Sequence, residues 1–143
     1  MEAVLSKTAL QGGEFLIKDS QAEDIFIPEE LNEEQMMIRE MVRDFLHNEI
    51  LPNSEKIEHQ EDNISPRLLE KMAALGLLGT HMPEVYGGMQ LDTNTNTLIG
   101  DALGPAGAFT VSYAAHIGIG MLPILYFGTE EQKDKYLPRL ING

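Results

Sequence analysis

NEEQMMIREMVRDFLHNEILPN, residues 32–53, is the stretch whose reading decides the fold. Asn32 followed three residues later by Gln35 is a helix N-cap with its reciprocal capping-box partner, and Glu33 and Glu34 suit the positive end of a helix dipole. Ile38, Met41, Val42, Phe45 and Leu46 then recur at i, i+3, i+4, i+7 and i+8, a single apolar stripe with helical period. Glu40, Arg43, Asp44 and His47 fall on the wet side. Pro52 is expected to bend the chain at Leu51, with a helical continuation from Glu55 to about Gln60.

Downstream, Ser65 as cap, Pro66 at the first helical position and the stripe Leu68, Leu69, Met72 and Leu75 predict a second helix that Gly76 ends in the left-handed region. Residues 77–91, with Pro83 and the Gly87–Gly88 pair, read as a long but tightly turned connection. Asp92 caps a helix to about Leu103, which Gly104 and Pro105 break. Gly107 to Ile117 and Gly120 to Phe127 read as two apolar helices, and Thr129 with Gln132 opens the last one. That helix carries Tyr136, Leu137 and Leu140 on one side, and Pro138 is expected to kink or end it near Leu137. No strand pattern of useful length occurs. The expected fold is all-α, an up-and-down bundle of five to six helices over residues 31–143. Residues 1–30, with apolar patches at 15–17 and 25–27, read as an extended arm with one short helix at most.

The chain has 143 residues, enough for one core, and no Cys, which removes disulfides, thiolate nucleophiles, zinc ribbons and iron–sulfur clusters. Its net charge of −13 would repel a nucleic-acid backbone or an anionic membrane. Most of that charge lies in residues 1–63, whereas residues 64–143 are nearly neutral and rich in small residues, as expected of a surface that packs against other polypeptide. The beginning of the sequence has neither a basic start followed by an apolar run nor an Arg-rich presequence, so a cytoplasmic location is expected. Residues 111–127 are apolar but interrupted by His116, Pro123 and glycines, so no membrane span is expected.

A search for self-contained chemistry finds none. His47, His59, His81 and His116 fall on four different elements, without the paired Glu-x-x-His ligands of a di-iron bundle, so no metal site is expected. His116, in an apolar small-residue helix, is favoured as a core histidine bonded to a backbone carbonyl over a catalytic group, since no Ser–carboxylate arrangement accompanies it. Gly118-x-Gly120 lacks the third glycine and preceding strand of a dinucleotide fingerprint. No catalytic and no cofactor-binding residue is assigned.

Three segments together carry a family resemblance: residues 32–53 quoted above, LLEKMAALGLLGTHMPEVYGG at 68–88, and LPILYFGTEEQKDKYLPRLING at 122–143. In this order and spacing they closely resemble the N-terminal helical domain of the flavin-dependent acyl-CoA dehydrogenases. The arm GGEFLIKDSQAEDIFIPEELNEEQ, at 12–35, resembles the very-long-chain branch. The resemblance implies a parent of three parts: this domain, a middle β-domain and a C-terminal helical bundle. The parent would remove a proton α to a fatty acyl-CoA thioester and pass a β hydride to FAD, with an electron-transfer flavoprotein as partner and a homo-oligomeric state. The base, a Glu, and the main flavin contacts would lie in the other two parts, so these 143 residues alone are expected to bind no FAD and to be inactive.

One functional element transfers. In the family the helix ahead of the PI…FGT segment lines the far end of the acyl pocket. Here it carries Val111, Tyr113, Ala114, Ala115 and Gly118, and the small Val111, Ala114, Ala115 and Gly118 are the expected acyl-pocket residues, an open floor for long chains. Close helix packing would use the same small residues. The other classes open at this point are a free-standing helical interaction module and an acyl-chain carrier. An exposed docking face would also promote dimers or exchange of the last helix.

Overall fold

The computed structural model describes residue 10 and residues 12–143. Among these residues there is no strand, and apart from isolated 3-10 turns the helical segments join into five runs. Two compact units divide the chain, the first ending at Met36 and the second covering Met37–Gly143.

In the first unit the arm is a string of single 3-10 turns, Glu14–Leu16, Ala22–Asp24 and Pro28–Glu30, where one short helix at most was expected. Side chains stitch these turns locally: Asp24 accepts from the Gln21 amide at 2.9 Å and Glu30 from the Ile27 amide at 3.0 Å. Phe15, Leu16, Ile17 and Ile25 are exposed.

Helix α1 spans Glu33–Phe45, and its entry is the expected capping box, Asn32 Oδ1 accepting from Gln35 N at 2.8 Å and Gln35 Oε1 from Asn32 N at 3.1 Å. Val42, Phe45 and Leu46 are buried. The chain does not break at Pro52. It widens into a π turn at Leu46–Ile50, tightens into a 3-10 turn at Leu51–Asn53 and continues as α2, Ser54–Glu58. The missing proline N–H explains the change of pitch, and Asn53 Nδ2 donates to the Glu49 carbonyl at 2.7 Å.

Helix α3, Ile64–Ala74, starts one residue before the expected cap. Its N-cap is Asn63, in the left-handed region, so Ser65 lies inside the first turn and caps nothing. At the other end Gly76 has φ +77°, and the Leu77 and Gly76 amides bond the Met72 and Ala73 carbonyls at 3.0 and 2.8 Å, a Schellman closure. That turn leaves Leu75 40% exposed, against expectation, and drives Leu77 and Leu78 into the core.

Helix α4, Thr93–Ala102, is capped by Asp92, whose carboxylate accepts from the amides of Asn94 at 2.8 Å and Thr95 at 3.1 Å and from the buried Thr95 hydroxyl. The Thr95 hydroxyl bond, ahead of the backbone amides, holds the Asp92 pKa below the usual carboxylate value. Because the folded-state pKa is depressed, the contribution is present above the unfolded value and is lost as the pH falls through the folded one. Asp92→Ala should therefore cost about 1 kcal/mol near neutrality. The difference between variant and wild type, followed by urea unfolding, should shrink below about pH 3.8.

Helices α5, Ala108–Ala114, and α6, Met121–Phe127, form one continuous run through a π segment at Ala115–Gly120, where two separate helices were expected. This 20-residue run is long and apolar enough to cross a membrane by length and composition, which the expected break had hidden. Its inner side is lodged in the bundle by Phe109, Tyr113 and Met121. Helix α7, Glu130–Ile141, opens with the Thr129–Gln132 capping box and runs through Pro138 rather than ending there. Leu137 and Ile141, both buried, anchor it on either side of the proline, while the Asp134 carbonyl deprived of its donor belongs to an exposed residue. Tyr136 is exposed instead of buried, with Lys135 Nζ 5.2 Å from its ring centroid.

Candidate functional site

The helical run Ala108–Phe127 has two unlike faces. Phe109, Tyr113 and Met121 point into the bundle. The opposite face carries Val111, 71% exposed, with Ala114, Ala115, Gly118 and Ile119, the last 80% exposed. All four expected pocket residues thus share one side of one helix. Ile119 completes that side, and the sequence signal was there to be used: it stands eight residues after Val111 and four after Ala115. With Ile119 included, the face is apolar and outward, with the branched Val111 and Ile119 flanking the small Ala114, Ala115 and Gly118.

Three side chains fix the inner side. Tyr113 donates its phenol proton to the Leu77 carbonyl at 2.9 Å, and burial pushes its pKa up to about 12, so it stays a donor. Thr80 Oγ1, buried and without a hydrogen-bond partner, lies near enough to the phenol to offset part of the burial effect. His116 Nε2 lies 2.7 Å from the Leu140 carbonyl and His81 Nε2 lies 3.0 Å from that of Ile117. A carbonyl only accepts, so each ring carries its proton on Nε2. His116 is therefore the carbonyl-bonded histidine that the sequence favoured.

Beside Val111 a cleft of about 560 Å³ opens between the turn before α3 and the start of α5, lined by Ile57, Gln60, Asn63, Ile64, Ala108 and Ser112 among others. Gln60, Asp62 and Asn63 in that turn all have positive φ. A smaller apolar cleft of about 340 Å³ lies at the far end of the run, between Pro123, Phe127 and Tyr136. Near it, Tyr86 donates to Glu130 Oε2 at 3.3 Å and Lys133 pairs with Glu130 Oε1 at 2.8 Å. The Lys133 bond lowers the Glu130 pKa, and partial desolvation followed by the Glu130 charge raises that of Tyr86. This cluster ties the start of α7 to the turn at residues 84–86.

No group of three or more His, Asp or Glu able to hold a metal occurs among the described residues. A dinucleotide such as FAD needs cationic or amide cradles for its phosphates, and neither cleft has a Lys or Arg in its lining. Glu58, Glu61 and Asp62 flank the larger one in sequence.

The profile for the N-terminal domain of acyl-CoA dehydrogenases matches residues 32–143. A probable acyl-CoA dehydrogenase of Bacillus subtilis is 45% identical over 133 residues, 93% of this chain and 22% of its own length. The Bacillus anthracis acyl-CoA dehydrogenase, whose structure was solved in complex with FAD, superposes with a TM-score of 0.85 at 45% identity, over 94% of this chain and 23% of that one. A chain in the structure of the electron transferring flavoprotein of Acidaminococcus fermentans superposes with a TM-score of 0.67 at 32% identity, over 82% of this chain and 31% of that one. The chain thus spans between about a fifth and a third of the length of these relatives. It belongs to the acyl-CoA dehydrogenase family, of which residues 32–143 are the N-terminal helical domain.

Proposed function

We propose that this chain is one wall of the acyl pocket of an FAD-dependent dehydrogenase that introduces a double bond between the α and β carbons of a fatty acyl-CoA thioester. The observation that carries the reading is the outward apolar face Val111, Ala114, Ala115, Gly118 and Ile119 on a helix whose other side is pinned in the core. A contiguous apolar face of this kind gains free energy when something apolar covers it, and an alkyl chain is such a cover. The flavin and the proton-abstracting base belong, on this reading, to other segments of the parent enzyme, and an electron-transfer flavoprotein reoxidises it. Homo-oligomeric assembly is part of the proposal, supported by the exposed apolar side chains of the run, among them Phe127 at 87% exposure.

A chimera tests it. The 143 residues are joined to the segments that follow the matched region in the Bacillus subtilis relative, and the expected product is a yellow protein that oxidises fatty acyl-CoA. The 143 residues alone should neither take up FAD nor act on a thioester. A folded, FAD-loaded chimera without turnover overturns the reading, as does activity in the isolated chain.

A further inference from the structure

The wide turn Ala115–Gly120 interrupts the α-helical ladder in the middle of the outward apolar face. In an uninterrupted α-helix the Met121 amide would bond the Ile117 carbonyl. Here it bonds the Gly118 carbonyl instead, and the Ile117 carbonyl meets the His81 imidazole at 3.0 Å. One residue before Ile117, His116 reaches the other way, to the Leu140 carbonyl at 2.7 Å in the last turn of α7, an acceptor it shares with the Gly143 amide at 3.4 Å. The turn is therefore clamped from two sides by elements distant in sequence: the connection that bears His81 and the end of α7. Gly120 suits the close approach of backbone in this turn, since a Cβ there would stand 3.3 Å from the Ala115 carbonyl oxygen.

An apolar side chain could fill either histidine's space. A hydrogen bond to one carbonyl does more, because it is directional and fixes the rotation of the helix about its axis. A change of one residue in helical register turns every later side chain by about 100°. Ala115, Gly118 and Ile119 all lie inside the clamped turn, while Val111 lies before it.

We infer that His81 and His116 are positioning residues for acyl-chain length: by holding the wide turn at Ile117 and Leu140 they set the register at which Ala115, Gly118 and Ile119 meet the substrate chain. This rests on the acyl-wall reading above.

His81→Leu and His116→Leu keep most of the volume and remove the donor, and His81→Gln and His116→Gln return a donor near the position of Nε2. In the 143-residue chain, amide exchange followed by NMR should speed up by roughly tenfold or more at residues 118–121 in the Leu variants, with α1 and α4 unaffected, since local opening free energies vary from segment to segment. In the FAD-loaded chimera, the ratio of kcat/KM for long over short acyl-CoA should change by roughly tenfold, the worth of about one methylene in an apolar pocket. The change should fall on KM for the long substrates, and the Gln variants should restore both readouts. If a Leu variant does not fold, the Asn variants, one methylene too short to reach the carbonyl, replace it. Unchanged exchange at 118–121, or an unchanged length profile, overturns the inference. Ala115→Leu separates the two readings. If it shifts the profile while the histidine variants do not, the positioning role is wrong and the acyl wall stands. If neither shifts it, the acyl wall fails and the positioning role with it.

Discussion

Gly88→Ala is expected to destabilise the domain by about 3 kcal/mol or more, the upper end of what overpacking costs. A Cβ on Gly88 would lie 2.0 Å from the Met82 carbonyl oxygen, 2.4 Å from its carbon and 2.6 Å from the Met82 Cβ. The atoms in the way are mostly backbone, and they cannot swing aside as the tip of a long side chain could. Nor is Met82 free to retreat: it is fully buried in a cluster with Met121, Leu137 and Ile141, and its carbonyl accepts the Gln90 amide at 3.0 Å. The neighbouring Gly88 amide bonds the Pro83 carbonyl at 3.1 Å, so the loop is closed from both ends. Relief would require opening the connection that places His81 against the Ile117 carbonyl, so the damage should spread to the wide turn at Ala115–Gly120. Gly100→Ala is the internal control. Gly100 sits in α4 with open space where its Cβ would be, and the substitution should stabilise by about 0.5–1 kcal/mol through helix propensity alone. Equilibrium urea unfolding of the two variants beside the wild type measures both. A Gly88→Ala variant within about 0.5 kcal/mol of wild type, the range of an ordinary surface change, would contradict this packing.

Local chemistry made most of the fold legible. Asn32 with Gln35, Asp92 with Asn94 and Thr95, Gly76 at its positive φ and Thr129 with Gln132 are signals that span four residues or fewer, and each marks a helix end in the structure as expected. The misreadings have a common source: residues that break helices in isolation were overruled by packing. Pro138 is carried through α7 because Leu137 and Ile141 are both buried. Pro52, by contrast, opens a new 3-10 turn after which the helix resumes at Ser54, as expected. Gly118 and Gly120 sit within a wide turn and do not separate two helices. Such compensation depends on contacts from elements far along the chain, which no short window contains. Ile119 lies between the two expected helices, Gly107 to Ile117 and Gly120 to Phe127, so the count of face positions stops at Gly118. The reciprocal error occurred at Leu75 and Tyr136, assigned to the core by period and turned outward by the left-handed closure at Gly76 and by the orientation of α7.

Ala115→Leu is expected to shorten the preferred acyl chain of the parent enzyme, lowering kcat/KM for the longest substrates by roughly ten- to a hundredfold relative to short ones. The reasoning starts from what the substitution does not do. Ala115 is half-buried on the outward side of the helix, away from Phe109, Tyr113 and Met121, and Leu is nearly as good a helix former as Ala. The domain's own stability should therefore move by less than about 1 kcal/mol. What changes is the room above the face. Each methylene of substrate denied burial forfeits about 0.8 kcal/mol, and a Leu side chain projecting over the floor displaces two or more. Short chains that end before Ala115 lose nothing, so the effect appears as a change in selectivity and not as a uniform loss. Ile119→Ala should act in the opposite sense, opening the floor one turn further along and raising relative activity on the longest chains. The alternative use of small residues, close packing of another helix against this face, predicts a different outcome: Ala115→Leu would then weaken assembly of the parent and depress activity on all chain lengths alike. A set of acyl-CoA substrates of increasing length, assayed with the FAD-loaded chimera and its two variants, decides between them. A length profile that is parallel to wild type in both variants would remove Ala115 and Ile119 from the pocket.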